Sequence, residues 1–399
     1  MNYQLSIIIR IFLCVSVVAT STARAADKFS QYSVLVGATN EKEYFPLLQN
    51  KRIGLVAHHA SRIGKSHVLD ILLSKNLKVV RIFAPEHGFR TNADAGELVQ
   101  DGIDKKTDIP IISLYSGIKK PTAKQFNQLD VIVLDLQDVG VRCYTYLSTL
   151  HYVMETCAEN NIPLVVFDRP NPNGHFVDGP VLEPRFHSFV GMHPIPMVHG
   201  MTLGELAKMI NGERWLKNGK QCKLNVVACC NYTHTTPYHL PVSPSPNLPN
   251  SRAVYLYPSL CFFEGTIMSV GRGTKTPFQV VGHPLWTIKK FEFTPQANNV
   301  VKKPLYKDTK CYGIDLFSLD IEDLYAQRKI NLDYLIDAHQ FFSGSLFVKF
   351  FSRLAGSGTL QQQIESGMSA EEIRASWKPD IAKFMQIRKK YLLYADFKQ

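Results

Sequence analysis

What the 399 residues lack narrows the field first. No G-x-G-x-x-G opens a helix and no G-x-x-x-x-G-K-[ST] occurs, so a bound dinucleotide or nucleoside triphosphate finds no support. No G-x-S-x-G is present, which removes the nucleophile elbow of serine hydrolases. C-x-x-C pairs and H-E-x-x-H are also missing, which argues against a structural zinc site or a zincin. Cysteine is sparse. Of eight, seven lie beyond residue 25 at irregular spacings, an odd set that makes no disulfide framework. Internal repeats and low-complexity tracts are absent as well.

The chain opens on an apolar core over residues 7–18, broken by Arg10, Cys14 and Ser16, and Ala23-Arg24-Ala25 follows as a small-x-small cleavage site. The run is too short to span a bilayer comfortably, so residues 1–25 read as a signal peptide and not as an anchor. Ile11, Phe12 and Leu13 precede Cys14 without the small residue a lipidation site needs. The expectation is a protein exported in soluble form, periplasmic or secreted. Arg10 and Arg24 would leave with the signal and no acidic residue would, taking the formal charge from +11 to +9. That balance suits work near an anionic polymer such as cell-wall glycan. The basic residues are scattered, and this speaks against nucleic acid as a partner.

From residue 51 a strand–helix rhythm sets in. Residues 53–57 form a short apolar strand ending in His58-His59-Ala60-Ser61, and Val68, Leu69, Leu72 and Leu73 mark one face of a helix. A second strand over 77–83 ends in Ala84-Pro85-Glu86-His87-Gly88-Phe89-Arg90. Residues 109–114 read as a third strand closed by Tyr115, with a short helix over 122–128. At the centre, residues 131–134 are wholly apolar and mostly β-branched, the mark of a strand buried on both faces of a parallel sheet. Asp135, Gln137, Asp138, Gly140, Arg142, Tyr144 and Tyr146 follow, then a helical pattern at Leu147, Leu150, Met154 and Cys157. A fifth strand over 162–167 ends in Asp168-Arg169-Pro170-Asn171. This predicts an α/β, doubly wound, mostly parallel sheet, with polar turns where open sheets of this kind bind ligands.

Beyond Gly174 the rhythm loosens. Thr202 and Glu205 form a capping box, so Glu205 reads as structural. Five prolines over 237–250 exclude helix and central strand, making this the best boundary, with the segment expected along the cleft. The prediction is therefore a large domain over 26–248 and a smaller α+β domain over 249–399 that closes the cleft. Within the latter, Glu264-Gly265-Thr266 and Gly271-Arg272-Gly273-Thr274 place a carboxylate and an arginine on glycine-rich loops. Ser369 and Glu372 form a second capping box ahead of a final helix.

In this order, Pro85-Glu86-His87-Gly88, Asp135-Leu136-Gln137-Asp138-Val139-Gly140-Val141-Arg142, Tyr144-Thr145-Tyr146, Asp168-Arg169-Pro170-Asn171-Pro172, His199-Gly200-Met201-Thr202, Pro244-Ser245-Pro246-Asn247, Glu264-Gly265-Thr266 and Gly271-Arg272-Gly273-Thr274 resemble the exo-β-N-acetylmuramidases of the NamZ type. The resemblance covers almost the whole chain after residue 25. It implies a Rossmann-like domain joined to a smaller α/β domain, and removal of a terminal N-acetylmuramic acid from the non-reducing end of peptidoglycan fragments. It also implies Glu86 as the catalytic residue. One loop departs from the family, whose first strand ends in a Thr-Asn turn where this chain has His58-His59, leaving open an altered subsite.

Glycoside cleavage calls for the same residue types on its own account, since an acid must protonate the leaving oxygen and a second group must serve the anomeric carbon. Glu86, Asp135, Asp138, Asp168 and Glu264 are the candidates, with Glu86 as the acid on its glycine-closed turn and Asp135, Asp138 or Glu264 as its partner. The substrate's own acetamido oxygen is the other possible nucleophile. For the sugar, the candidate contacts are His87, Arg90, Gln137, Arg142, Tyr144, Tyr146, Asp168, Arg169, Asn171, His199, Asn247 and Arg272. Arg142 or Arg272 is preferred for the lactyl carboxylate, because arginine grips a carboxylate with two parallel hydrogen bonds. No cofactor and no metal are expected, and peptidoglycan fragments or muropeptide-derived sugars are the expected partners. Two other classes compete: a non-catalytic glycan-binding protein, and a metal-dependent hydrolase using His58, His59, His87 and Asp135.

Overall fold

The computed structural model describes residues 33–90, 100–115, 117–287, 290–342, 344 and 346–398. The expected signal peptide, residues 1–25, lies outside the described residues. In chain order the large unit carries β1 (Ile53–Ala57), a short hairpin of β2 (Arg62–Ile63) and β3 (Ser66–His67), then β4 (Val79–Ala84), β5 (Gly102–Ile103), β6 (Pro110–Ser113), β7 (Val131–Asp135), β8 (Leu164–Phe167) and β9 (Leu224–Val227). Seven of these form one sheet in the order β5-β6-β4-β1-β7-β8-β9, and every pairing is parallel except the edge strand β5. Without β5 the chain runs outward from β1 to β6, returns beside β1 as β7, and runs outward again. The strand order reverses between β1 and β7, which is where doubly wound sheets open a ligand crevice.

The strand pattern explains why both faces are covered. Along β7, Ile132 and Leu134 face one core and Val131 and Val133 the other, the two-residue period of an extended chain. The first core takes Leu147, Leu150, Val153 and Met154 from the helix Tyr146–Asn160. The second takes Tyr44 and Leu48 from the helix Glu41–Leu48, and Leu69 and Leu72 from the helix Val68–Ser74. Each fully buried aliphatic side chain contributes roughly 1.5–3 kcal/mol. The register Val56↔Leu134 and Ala57↔Asp135 brings the carboxyl ends of β1 and β7 level. The predicted α/β class and mostly parallel sheet are what the fold shows.

The smaller unit opens with the helix Ser251–Leu260, unmarked in the sequence, with Pro258 inside it. Proline removes the N–H that would have bonded the carbonyl of Val254. Here Asn173 Nδ2 takes that carbonyl at 3.1 Å and also bonds Val139 O at 2.8 Å, tying the turn after β7 to the new helix. A three-stranded antiparallel sheet follows, made of β10 (Val280–His283), β11 (Glu292–Phe293) and β12 (Cys311–Asp315) in the order β10-β12-β11. After the helix Ala370–Arg388 the chain returns to the large sheet. Arg388 donates to Gly200 O, Leu393 N to Glu205, and Tyr394 Oη to Asp168 at 2.6 Å. Among the described residues no helix is long and apolar enough to cross a membrane.

Candidate functional site

A cleft of about 440 Å³ lies over the carboxyl ends of β4 and β7 and is walled on its far side by the smaller unit. Glu86 lies on one wall, in the turn that follows β4, and is only 6 % exposed. The turn is tight: Gly88 N donates to Pro85 O, and both His87 (φ 69°) and Gly88 (φ 80°) occupy the left-handed region. A histidine there is unusual, and such backbone settings persist where surrounding contacts hold them. Thr145 is one of those contacts. It occupies the N-cap of the helix Tyr146–Asn160 but makes no capping bond, and its hydroxyl donates to Glu86 Oε2 at 2.5 Å. The Tyr115 phenol also hydrogen-bonds the Glu86 side chain. Burial first, and then the charge of Glu86, pushes its pKa up, so it stays a neutral donor.

A second set of bonds holds the Glu86 backbone. His58 Nε2 accepts from Gln137 N at 3.1 Å, which leaves the proton on Nδ1 facing Tyr146 Oη at 3.0 Å. Tyr146 passes the chain on by donating to Glu86 O at 3.2 Å. Burial keeps His58 well below the ordinary histidine range, so the ring is neutral. Tyr144 lines the cleft while its hydroxyl reaches Pro244 O at 3.0 Å, fastening the proline-rich segment whose Ser245 and Asn247 also line the cleft.

On the opposite wall Arg272 donates to Glu264, both side chains about a quarter exposed, and the guanidinium lies 5.1 Å above the Phe278 ring. Gly271 (φ 76°) and Gly273 (φ 83°) flank Arg272; side chains there would strike Val280 and Gln296. Of the sequence-predicted residues, the structure thus brings Glu86, His87, Tyr144, Asn247, Glu264 and Arg272 to one cleft.

The others are held elsewhere. Asp135 is fully buried and gripped through both oxygens by Arg169, which also donates to Arg62 O; neither lines the cleft. Arg142 does not line the cleft and donates to the carbonyls of Pro180, Ile195 and Ala355. Arg90 joins Asp104 and Asp70. Asp168 accepts from Thr202, Gly204 N and Tyr394 at the start of the helix Leu203–Gly212, and burial raises it to about 6. Glu205 completes the predicted capping box with Thr202. Gln137 bonds the carbonyls of Asp138 and Pro170, and Asn171 that of Met201. Gly140 (φ 78°) leaves no room for a side chain, since a Cβ would stand 2.1 Å from Asn171 Oδ1.

Asp138 is buried and does not line the cleft. One oxygen accepts from Gly140 N at 2.7 Å, the other has no hydrogen-bond partner, and burial raises the carboxyl to about 7.

Among the cleft residues given no role from the sequence are Tyr115 and Thr145, both bonded to Glu86. Tyr115 lies just past the end of β6, and Thr145, inside the Tyr144-Thr145-Tyr146 motif, is the N-cap of the helix Tyr146–Asn160. For the metal reading, His59 Nε2 is spent on Ser243 O and His58 and Asp135 are engaged as above. Among the described residues no group of three histidine, cysteine, aspartate or glutamate side chains is placed to hold a metal ion.

The chain is similar to known proteins over most of its length. Residues 53–252 match the N-terminal and residues 255–394 the C-terminal region described as exo-beta-N-acetylmuramidase NamZ. The peptidoglycan beta-N-acetylmuramidase NamZ of Bacillus subtilis (strain 168) is 37% identical over 379 residues, covering 88% of this chain and 89% of that one. A crystal structure of a DUF1343 family protein from Bacteroides fragilis superposes with a TM-score of 0.85 at 48% identity, over 92% of this chain and 100% of that one. A second DUF1343 family protein from the same organism gives 0.78 at 27% identity, over 90% and 99%. The chain belongs to the NamZ family of exo-beta-N-acetylmuramidases.

Proposed function

We propose that this protein is an exo-acting glycosidase that releases terminal N-acetylmuramic acid from the non-reducing end of peptidoglycan fragments. The observation that carries the reading is Glu86, held by Thr145 and Tyr115 in a cleft whose far wall presents the Glu264–Arg272 pair. Glu86 delivers a proton to the glycosidic oxygen as the bond breaks. The two hydroxyls fix its rotamer, and the His58–Tyr146 chain fixes its backbone. Arg272, aligned by Glu264 and by the face of Phe278, pairs with the lactyl carboxylate that distinguishes this sugar. Glu264 is the second carboxylate on the cleft wall. Action outside the cytoplasm is supported by the apolar stretch over 7–18, the Ala23-Arg24-Ala25 site and the net positive charge. The test is product release: purified protein should free N-acetylmuramic acid stepwise from defined fragments. Binding without any release would instead make it a glycan-binding protein.

A further inference from the structure

The cleft changes character from its floor to its mouth. Glu86 and Tyr144 at depth are 6 % exposed, and the wall pair Glu264–Arg272 is about a quarter exposed. Phe350 and Leu305 line the same cleft at 38 % and 49 % exposure, so they stand at its opening. Lys303 is exposed beside them. All three come from the smaller unit. Large apolar side chains left in solvent at the rim of a cleft offer a surface that a bound chain can cover.

We propose that Phe350 and Leu305 form the subsite for the leaving sugar, with Lys303 beyond them as a contact for the next acidic group of the polymer. The inference rests on the glycosidase reading. An enzyme that takes the terminal sugar at depth must let the rest of the chain pass out through the mouth. The sugar next to the scissile bond therefore lies against whatever lines that mouth. A pyranose offers one face of C–H groups, which an aromatic ring and an aliphatic side chain cover well while the hydroxyls stay in water. Lys303, two residues before Leu305 and lining the same cleft, stands where an anionic substituent one sugar further out would pass. The labour is thus divided: the large unit carries the acid, and the small unit holds the leaving group. Binding energy gained there is felt in turnover, because it orients the bond to be broken.

The experiment compares two substrates. N-acetylmuramyl fluoride has no sugar beyond the scissile bond, whereas the muramyl–glucosaminyl disaccharide does. In Phe350→Ala, and separately in Leu305→Ser, the ratio of kcat/KM for disaccharide to that for fluoride should fall roughly 10-fold or more. The two residues lie on different loops, so one misfolded variant leaves the other informative. Wild-type turnover of both substrates with unchanged ratios in the variants would overturn the mouth assignment alone. A wild-type protein inert toward both would overturn the glycosidase reading and this inference with it.

Discussion

Nε2 of His199 lies 3.9 Å from Oδ2 of Asp138; the histidine is fully buried and the carboxylate nearly so. His199 Nδ1 accepts from Met201 N, so the ring carries its proton on Nε2, facing the carboxyl. Burial acts on the two in opposite senses: it raises Asp138 to about 7 and lowers His199 to about 3.

That opposition has a consequence for stability. Between about pH 4 and 6.5 the unfolded chain holds a proton on His199, and the folded protein holds one on Asp138 instead. The proton counts match, so the pair together adds almost no pH dependence. Each variant should unmask the other group. In Asp138→Asn the depressed histidine remains, the unfolded state binds more protons, and stability should rise with pH from about 3 to 6.5. In His199→Gln the raised carboxyl remains, the folded state binds more protons, and stability should fall as pH climbs from about 4 through 7. Denaturant unfolding at several pH values, taken relative to wild type, measures both slopes; parallel curves would refute the assignment.

Glu86→Gln keeps the shape and the bonds to Thr145 and Tyr115 but has no proton to deliver. Turnover of the disaccharide should drop by roughly 10²–10⁴-fold. An aryl glycoside with a good leaving group should lose much less, and the basic limb of the pH profile for kcat/KM should flatten. Wild-type turnover of the disaccharide by this variant would move the acid to Glu264.

Arg272→Ala removes the group assigned to the lactyl carboxylate. The preference for N-acetylmuramides over N-acetylglucosaminides should shrink by about 10–100-fold, the range of one charge-assisted hydrogen bond. Glu264→Gln should shift the same preference if the carboxylate orients Arg272. If it also attacks or activates water, both sugars should slow alike.

Asp135→Ala strands Arg169 in a dry site. Breaking a buried pair from one side costs about 3–5 kcal/mol, so the denaturation midpoint should fall steeply. Asp135→Asn, which keeps one acceptor, should fall less. Whatever folded protein remains should still turn over substrate, because the pair does not line the cleft. A stable but inactive Asp135→Asn would show that the carboxylate takes part in the reaction.

The sequence by itself determined the strands of the large sheet and the polar turns at their ends. The apolar runs at 53–57 and 131–134, and the helical spacing from Leu147 to Cys157, are local periodicities, and burial on two faces follows from them. Glu86 was legible because its turn sits at a strand end and closes on Gly88, and Glu205 because a capping box lies within four residues. Only the tertiary structure decided which polar groups face the cleft. Arg142 was a plausible grip for a carboxylate until Ala355, 213 residues away, presented a carbonyl to it. Asp135 was as good a catalytic candidate as Glu264 until Arg169, 34 residues on, closed over it. Thr145, named only within a motif, donates to Glu86, 59 residues earlier. Charged and hydroxyl side chains bond whatever partner packing brings within 3 Å, and burial makes those bonds decisive. Such partners come from segments far apart in sequence, so local pattern names the candidates and packing assigns their roles.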